Sequence, residues 1–96
     1  MARDPRIVQK LTQAVQQELG PNAKVHFADG LHDYIYMLVI DSSFHDLQEY
    51  QRQDKIWDVM RKHLEDAELV KVSLTLAFSP QEPEARHALE DFRLAS

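Results

Sequence analysis

Near the carboxyl end of this chain, residues 70–78 read Val-Lys-Val-Ser-Leu-Thr-Leu-Ala-Phe, and Ser79-Pro80-Gln81-Glu82 follow without a break. Five apolar residues, Val70, Val72, Leu74, Leu76 and Phe78, fall at every second position. Successive side chains on a strand point to opposite sides, so this is the period of a strand with one face buried. Ser79 as a cap, Pro80 in a first turn and Glu82 three places after the serine mark a helix start. A strand that turns at once into a helix belongs to a fold in which helices and strands pack as layers. It names no reaction.

The rest of the chain supplies the other elements. A first helix is punctuated by Asp4 as cap, Pro5 in the first turn and Gly20-Pro21 as the stop. Ile7, Leu11, Val15 and Leu19, with Val8 and Ala14, make its apolar stripe. A short strand is predicted over Lys24–Phe27, with Val25 and Phe27 on one face and turn chemistry in Ala28-Asp29-Gly30. Tyr34–Asp41 predicts a second strand that is apolar on both faces. Tyr34, Tyr36, Leu38 and Ile40 share one side, and Ile35, Met37 and Val39 share the other. Such a strand is central, or something else, such as another subunit, covers one of its faces. After the polar connection Asp41–Asp46, a second helix is predicted over Leu47–Glu65. Its stripe is Tyr50, Trp57, Met60 and Leu64, with Ile56 beside them, and Asp58 and Lys62 are spaced for an ion pair. A last helix is predicted over Pro80–Phe92, burying Leu89 and Phe92.

The predicted order is α-β-β-α-β-α. The first two strands form a hairpin, and the third, reached through a helix, runs parallel to the second. The expected fold class is α+β: one domain over residues 1–96, with a mixed three-stranded sheet and helices on one face. A degenerate ferredoxin-like sandwich is the alternative. At 96 residues, 44% apolar and 28% charged, the composition is that of an ordinary globular domain. No apolar run approaches the roughly 20 residues of a membrane span, and Met-Ala-Arg-Asp-Pro does not resemble a secretory signal. These features predict a cytoplasmic protein without membrane contact. There is no cysteine, which excludes disulfides, thiol nucleophiles and thiolate metal sites. A formal net charge of −5 works against generic binding to nucleic acid.

Three stretches resemble the BolA-like family, whose fold is related to the second class of KH domains. Val39-Ile40-Asp41-Ser42-Ser43-Phe44 resembles the family's strand ending in a Ser/Asp turn and a Phe. Gln51-Arg52-Gln53-Asp54-Lys55-Ile56-Trp57 falls where the family has Arg-His-Arg followed by an apolar pair. Phe78-Ser79-Pro80-Gln81-Glu82 is similar to the family's Thr-Pro-x-Glu start of its last helix. The match spans Val39–Glu82, less than half of the chain. The resemblance implies a BolA-type scaffold without the family's ligands for a metal or iron–sulfur cluster. Lys71 stands where the family has a ligand histidine, and Gln53 and Asp54 replace the His and second Arg of the motif. The loop between the first two strands holds only His32. Cluster sharing with a monothiol glutaredoxin is therefore not expected, and no cofactor is.

The remaining chemistry is sparse. Five histidines, His26, His32, His45, His63 and His87, form no helical ligand pair. Only His32 and His45, in loops flanking the second strand, are a pairing to test. Asp41, Ser42, Ser43 and His45 gather at a strand end, but without a nucleophile-elbow pattern they read as turn and cap residues. Gly20 and Gly30 are explained by turns, and no Gly-x-x-Gly loop is present. The function expected is a non-enzymatic protein-binding or regulatory module, with a protein partner or a second copy bound through the sheet. Tyr34, Tyr36 and Met37 are the candidate interface residues. The alternative is nucleic-acid binding through the KH-related scaffold, with Arg52, Lys55 and Lys71 as phosphate contacts.

Overall fold

The computed structural model describes residues 4–95. Helix α1 spans Pro5–Leu19, strand β1 Lys24–Asp29, strand β2 Ile35–Ile40, helix α2 Glu49–His63, a single-turn helix α3 Asp66–Leu69, strand β3 Val72–Phe78 and helix α4 Pro83–Ala95. The sheet order is β1-β2-β3, with β1 and β2 antiparallel and β2 and β3 parallel. The α+β class, the mixed sheet and the order of the main elements are as the sequence predicts.

The local causes are plain for α1. Asp4 Oδ1 accepts the Arg6 N–H at 2.9 Å, and Pro5 occupies the first turn. Gly20, at φ 116, closes the helix by donating its N–H to Gln16 O at 2.9 Å. That left-handed backbone is open to glycine at no steric cost. Ile7, Leu11, Ala14 and Val15 are buried against the sheet.

Helix α2 is rotated from its expected phase. Its buried residues are Arg52, Ile56, Val59 and Met60, while Tyr50 is 66% exposed. The true stripe starts with an arginine, and that charge hides it from a hydropathy reading. The helix begins at Glu49, where Gln48 N–H donates to Gln51 Oε1 at 2.8 Å. Asp58 pairs with Arg61 at 2.9 Å, and Lys62 reaches Glu18 of α1 at 3.6 Å instead.

Two boundaries near β3 also move. Val70 ends α3 in a helical conformation and is exposed, so it is not part of the strand. Glu65 N–H donates to Glu68 Oε1 at 2.9 Å, and Glu68 pairs with Lys10 of α1 at 2.8 Å, which fixes this short helix. Helix α4 starts at Pro83, not Pro80. Glu82 precedes Pro83, and a residue before proline is disfavoured in the helical region. The Ser79–Glu82 segment therefore stays a separate turn, closed by Glu82 N–H to Ser79 O at 3.2 Å.

The helices do not share one face of the sheet. Ile35, Met37 and Val39 of β2 pack with α1 and α2. Leu38 and Ile40 pack with Ala85, Ala88 and Phe92 of α4 on the opposite face. The apolar side left over in the sequence reading is thus largely covered by α4. A bulge adjusts β3 to this arrangement: Ile35 pairs with Val72 but Tyr36 with Leu74, so β3 holds one extra residue. Val72 consequently joins the α1/α2 core, whereas Leu76 and Phe78 join the α4 side.

Candidate functional site

Beside β3, helix α4 leaves a gap. Two of its sheet-facing residues are alanines, Ala85 and Ala88, which let it sit close over β1 and β2 without reaching across β3. The uncovered strip is a groove of about 390 Å³ floored by Tyr36, Leu74, Leu76 and Phe78. Leu74 is 40% exposed there. The helical wall carries Ala88 and Phe92 low down and Glu84, His87 and Asp91 at the mouth. Those three are spaced i, i+3 and i+7, which puts them on one face of the helix. The Tyr36 ring is positioned by Gly30: a Cβ built on that glycine would lie 2.8 Å from Tyr36 Cε1. Only a residue without a side chain permits that approach. An apolar floor with a few polar groups at the rim is the usual form of a recognition site.

A second hollow, at the carboxyl end of β3, is polar and centres on Arg52 and Glu82. Arg52 is 8% exposed. Its Nε donates to Leu47 O at 3.0 Å, and its Nη1 donates to Ala77 O at 3.1 Å and to Glu82 Oε2 at 2.9 Å. Its Nη2 donates to the other oxygen of Glu82. The hydrogen bond from Arg52 holds the Glu82 carboxyl below its usual range against the opposing effect of burial. The same bond raises the Arg52 guanidinium further above its already high value. One residue along, Gln53 Nε2 donates to Thr75 O at 3.0 Å, and Thr75 Oγ1 donates to Gln53 Oε1 at 2.6 Å. Consecutive side chains of α2 thus occupy two outward carbonyls of β3. These groups are engaged with each other and serve the fold.

The expected interface residues separate. Tyr34 is exposed before β2 and Tyr36 lines the groove, but Met37 is fully buried in the α1/α2 core and presents nothing to a partner. Alternation along β2 sends Met37 to the face opposite Tyr36. The expected phosphate contacts do not form a patch. Arg52 is committed to Glu82. Lys55 Nζ lies 3.4 Å from Ser43 Oγ and 5.9 Å from the centre of the Phe44 ring. Lys71 sits at the other end of β3, beside Arg6, Lys10 and Glu68. The seven residues of β3 put roughly 20 Å between that end and the Arg52 end.

His32 and His45 flank β2 at opposite ends and do not converge. His63 Nε2 lies 3.1 Å from Glu18 Oε2, and His87 is at the groove mouth. Burial, helped by Arg93 and Lys24, lowers the pKa of His26. Among the described residues, no three His, Asp or Glu side chains gather in a way that would hold a metal ion. Asp41 caps a 3₁₀ turn over Ser42–Phe44, accepting the Ser43 N–H at 3.0 Å and the Ser43 hydroxyl. It does not cap α2. Among the described residues, no helix is long and apolar enough to cross a membrane.

The groove residues Leu74, Leu76 and Phe78 read in the sequence as ordinary core. The sign that they would be under-covered is the pair of alanines in the last helix, whose contact surface is too narrow for a three-stranded sheet. No family model, curated protein or solved structure matches the chain significantly.

Proposed function

We propose that this chain is a non-enzymatic protein-binding module, regulatory in character, whose recognition surface is the groove between α4 and β3. The observation that carries this reading is the open apolar floor of Tyr36, Leu74, Leu76 and Phe78 beside a packed helix. Covering apolar surface is favourable by about 25 cal/mol per Å², so a complementary partner gains by filling the groove. The floor is built from side chains that pack, and of the four only Tyr36 carries a polar atom, its phenol oxygen.

Kinship with BolA-like proteins belongs to the same proposal. It is supported by the order of the elements and by the three resembling stretches. On this reading Arg52, the retained member of the Arg-His-Arg motif, works for the fold through Glu82 and the end of β3. Nucleic-acid binding is the weaker reading, because Arg52 is buried and Lys55 and Lys71 lie apart.

A synthetic amphipathic helix of about four turns, with a leucine stripe and a glutamine face, tests the groove directly. Amide NMR titration is expected to move Tyr36, Leu74, Leu76 and Ala88, and Leu74→Glu should abolish the response. Shifts that scatter over the surface, or that survive Leu74→Glu, would remove the reading.

A further inference from the structure

We infer that the occupant of the groove is a single amphipathic helix whose apolar stripe is flanked by Lys or Arg. This rests on the reading of the groove as a protein-binding surface and adds the form and charge of the partner.

The form follows from the layers. Strands lie about 4.8 Å apart and packed helices about 10 Å apart, so two helices side by side cover three strands. On one face α1 and α2 do so. Among the described residues α4 is alone on the other face; it lies chiefly over β1 and β2 and leaves Leu76 and Phe78 of β3 half-buried. One more helix over β3, overhanging the edge of the sheet, would complete this layer in the way α2 completes the other. An added strand is a poorer fit, because Gln53 and Arg52 already occupy the Thr75 and Ala77 carbonyls on the outer side of β3.

The charge follows from the wall. Glu84 and Asp91 put two carboxylates along the mouth, with His87 between them. The cations Arg86 and Lys71 line other hollows, Arg93 lies close enough to His26 of β1 to affect its pKa, and Arg52, which shares a hollow with Glu84, is already paired with Glu82. Leu94, three residues beyond Asp91, is 86% exposed and continues the same helical stripe past the groove. A second copy docking α4 against α4 would bring the Glu84 and Asp91 pairs of both chains together across a twofold axis, and like charges would oppose it. Basic flanks on a foreign helix meet the same carboxylates favourably.

Three peptides with one leucine stripe and lysine, glutamine or glutamate faces separate the possibilities. The lysine peptide is expected to bind the groove about tenfold more tightly than the glutamate peptide at low salt, with the gap narrowing as salt is added. Replacing both wall carboxylates by neutral amides, Glu84→Gln with Asp91→Asn, should remove the preference; both side chains are exposed, and an amide puts no cation beside Arg52, with which Glu84 shares a hollow. Binding of the glutamine peptide with no advantage for lysine would overturn the charge assignment and leave the groove reading standing. Failure of all three at the groove would overturn both. A concentration-dependent dimer in light scattering that disappears in Leu74→Glu would assign the groove to a second copy and overturn the inference.

Discussion

Replacing Arg52 with methionine isolates the interaction that ties α2 to the end of the sheet. Methionine keeps most of the aliphatic stem and removes the guanidinium, which donates to Leu47 O, Ala77 O and both oxygens of Glu82. Breaking a buried ion pair from one side costs about 3–5 kcal/mol. The Glu82 side chain is 23% accessible and can recover part of its hydration, which places the cost near the lower end, about 3 kcal/mol. A domain of this size has a total stability of roughly 5–14 kcal/mol, so the variant still folds. With a urea m-value of about 1.2 kcal/mol/M, the midpoint should fall by about 2.5 M. Far-UV circular dichroism during urea unfolding reads this directly. Glu82→Gln should cost less, about 1–2 kcal/mol, because the amide oxygen still accepts a bond from Arg52. The double variant should cost less than the sum of the two. Acid should weaken the same link. The folded Glu82 carboxyl titrates below its ordinary 4.5, so its contribution is complete above that value and is lost as pH falls through the lower, folded one. A midpoint shift under about 0.5 M for Arg52→Met, or additive single variants, would refute the account.

Other consequences follow from the packing. Met37→Ala should cost about 2–4 kcal/mol because it opens a cavity in the α1/α2 core, whereas Tyr34→Ala should cost under about 1 kcal/mol; thermal unfolding distinguishes the two. Gly30→Ala forces the Tyr36 ring away from its seat and should destabilise by about 1–2 kcal/mol, with loss of peptide binding at the groove even where the domain remains folded. The depressed pKa of His26 makes the folded state bind a proton less readily than the unfolded chain. Stability from this group is complete above the ordinary pKa of 6.5 and is lost as pH falls through the folded value. The slope of stability against pH in that window should flatten in His26→Gln, as measured by urea midpoints.

The elements with undisguised punctuation were the legible ones. Asp4-Pro5 and Gly20-Pro21 bound α1, and the two-sided apolar run of β2 identified the central strand. The phase of α2 was concealed because Arg52 holds a position on its buried stripe, and only a partner distant in sequence, Glu82, makes that burial tolerable. The start of α4 was concealed by two competing signals, a capping pattern at Ser79 and a second proline that takes precedence. The groove was the least legible feature. It arises from what α4 fails to cover and from a bulge that redirects Val72, and both depend on three-dimensional register. The two-sided character of β2 points to Tyr36 as a residue short of cover within the chain, and its ring lines the groove.

The engagement of Thr75 O and Ala77 O by Gln53 and Arg52 has a consequence for how this chain survives crowding. The outer rim of a sheet invites extension by strands of neighbouring molecules, the first step towards a fibril. Here an invading strand must first dislodge two side chains, one of them also held by a carboxylate. Resistance to templated growth on that side is therefore set by α2, and damage to the Arg52–Glu82 link would expose the rim before the domain unfolds.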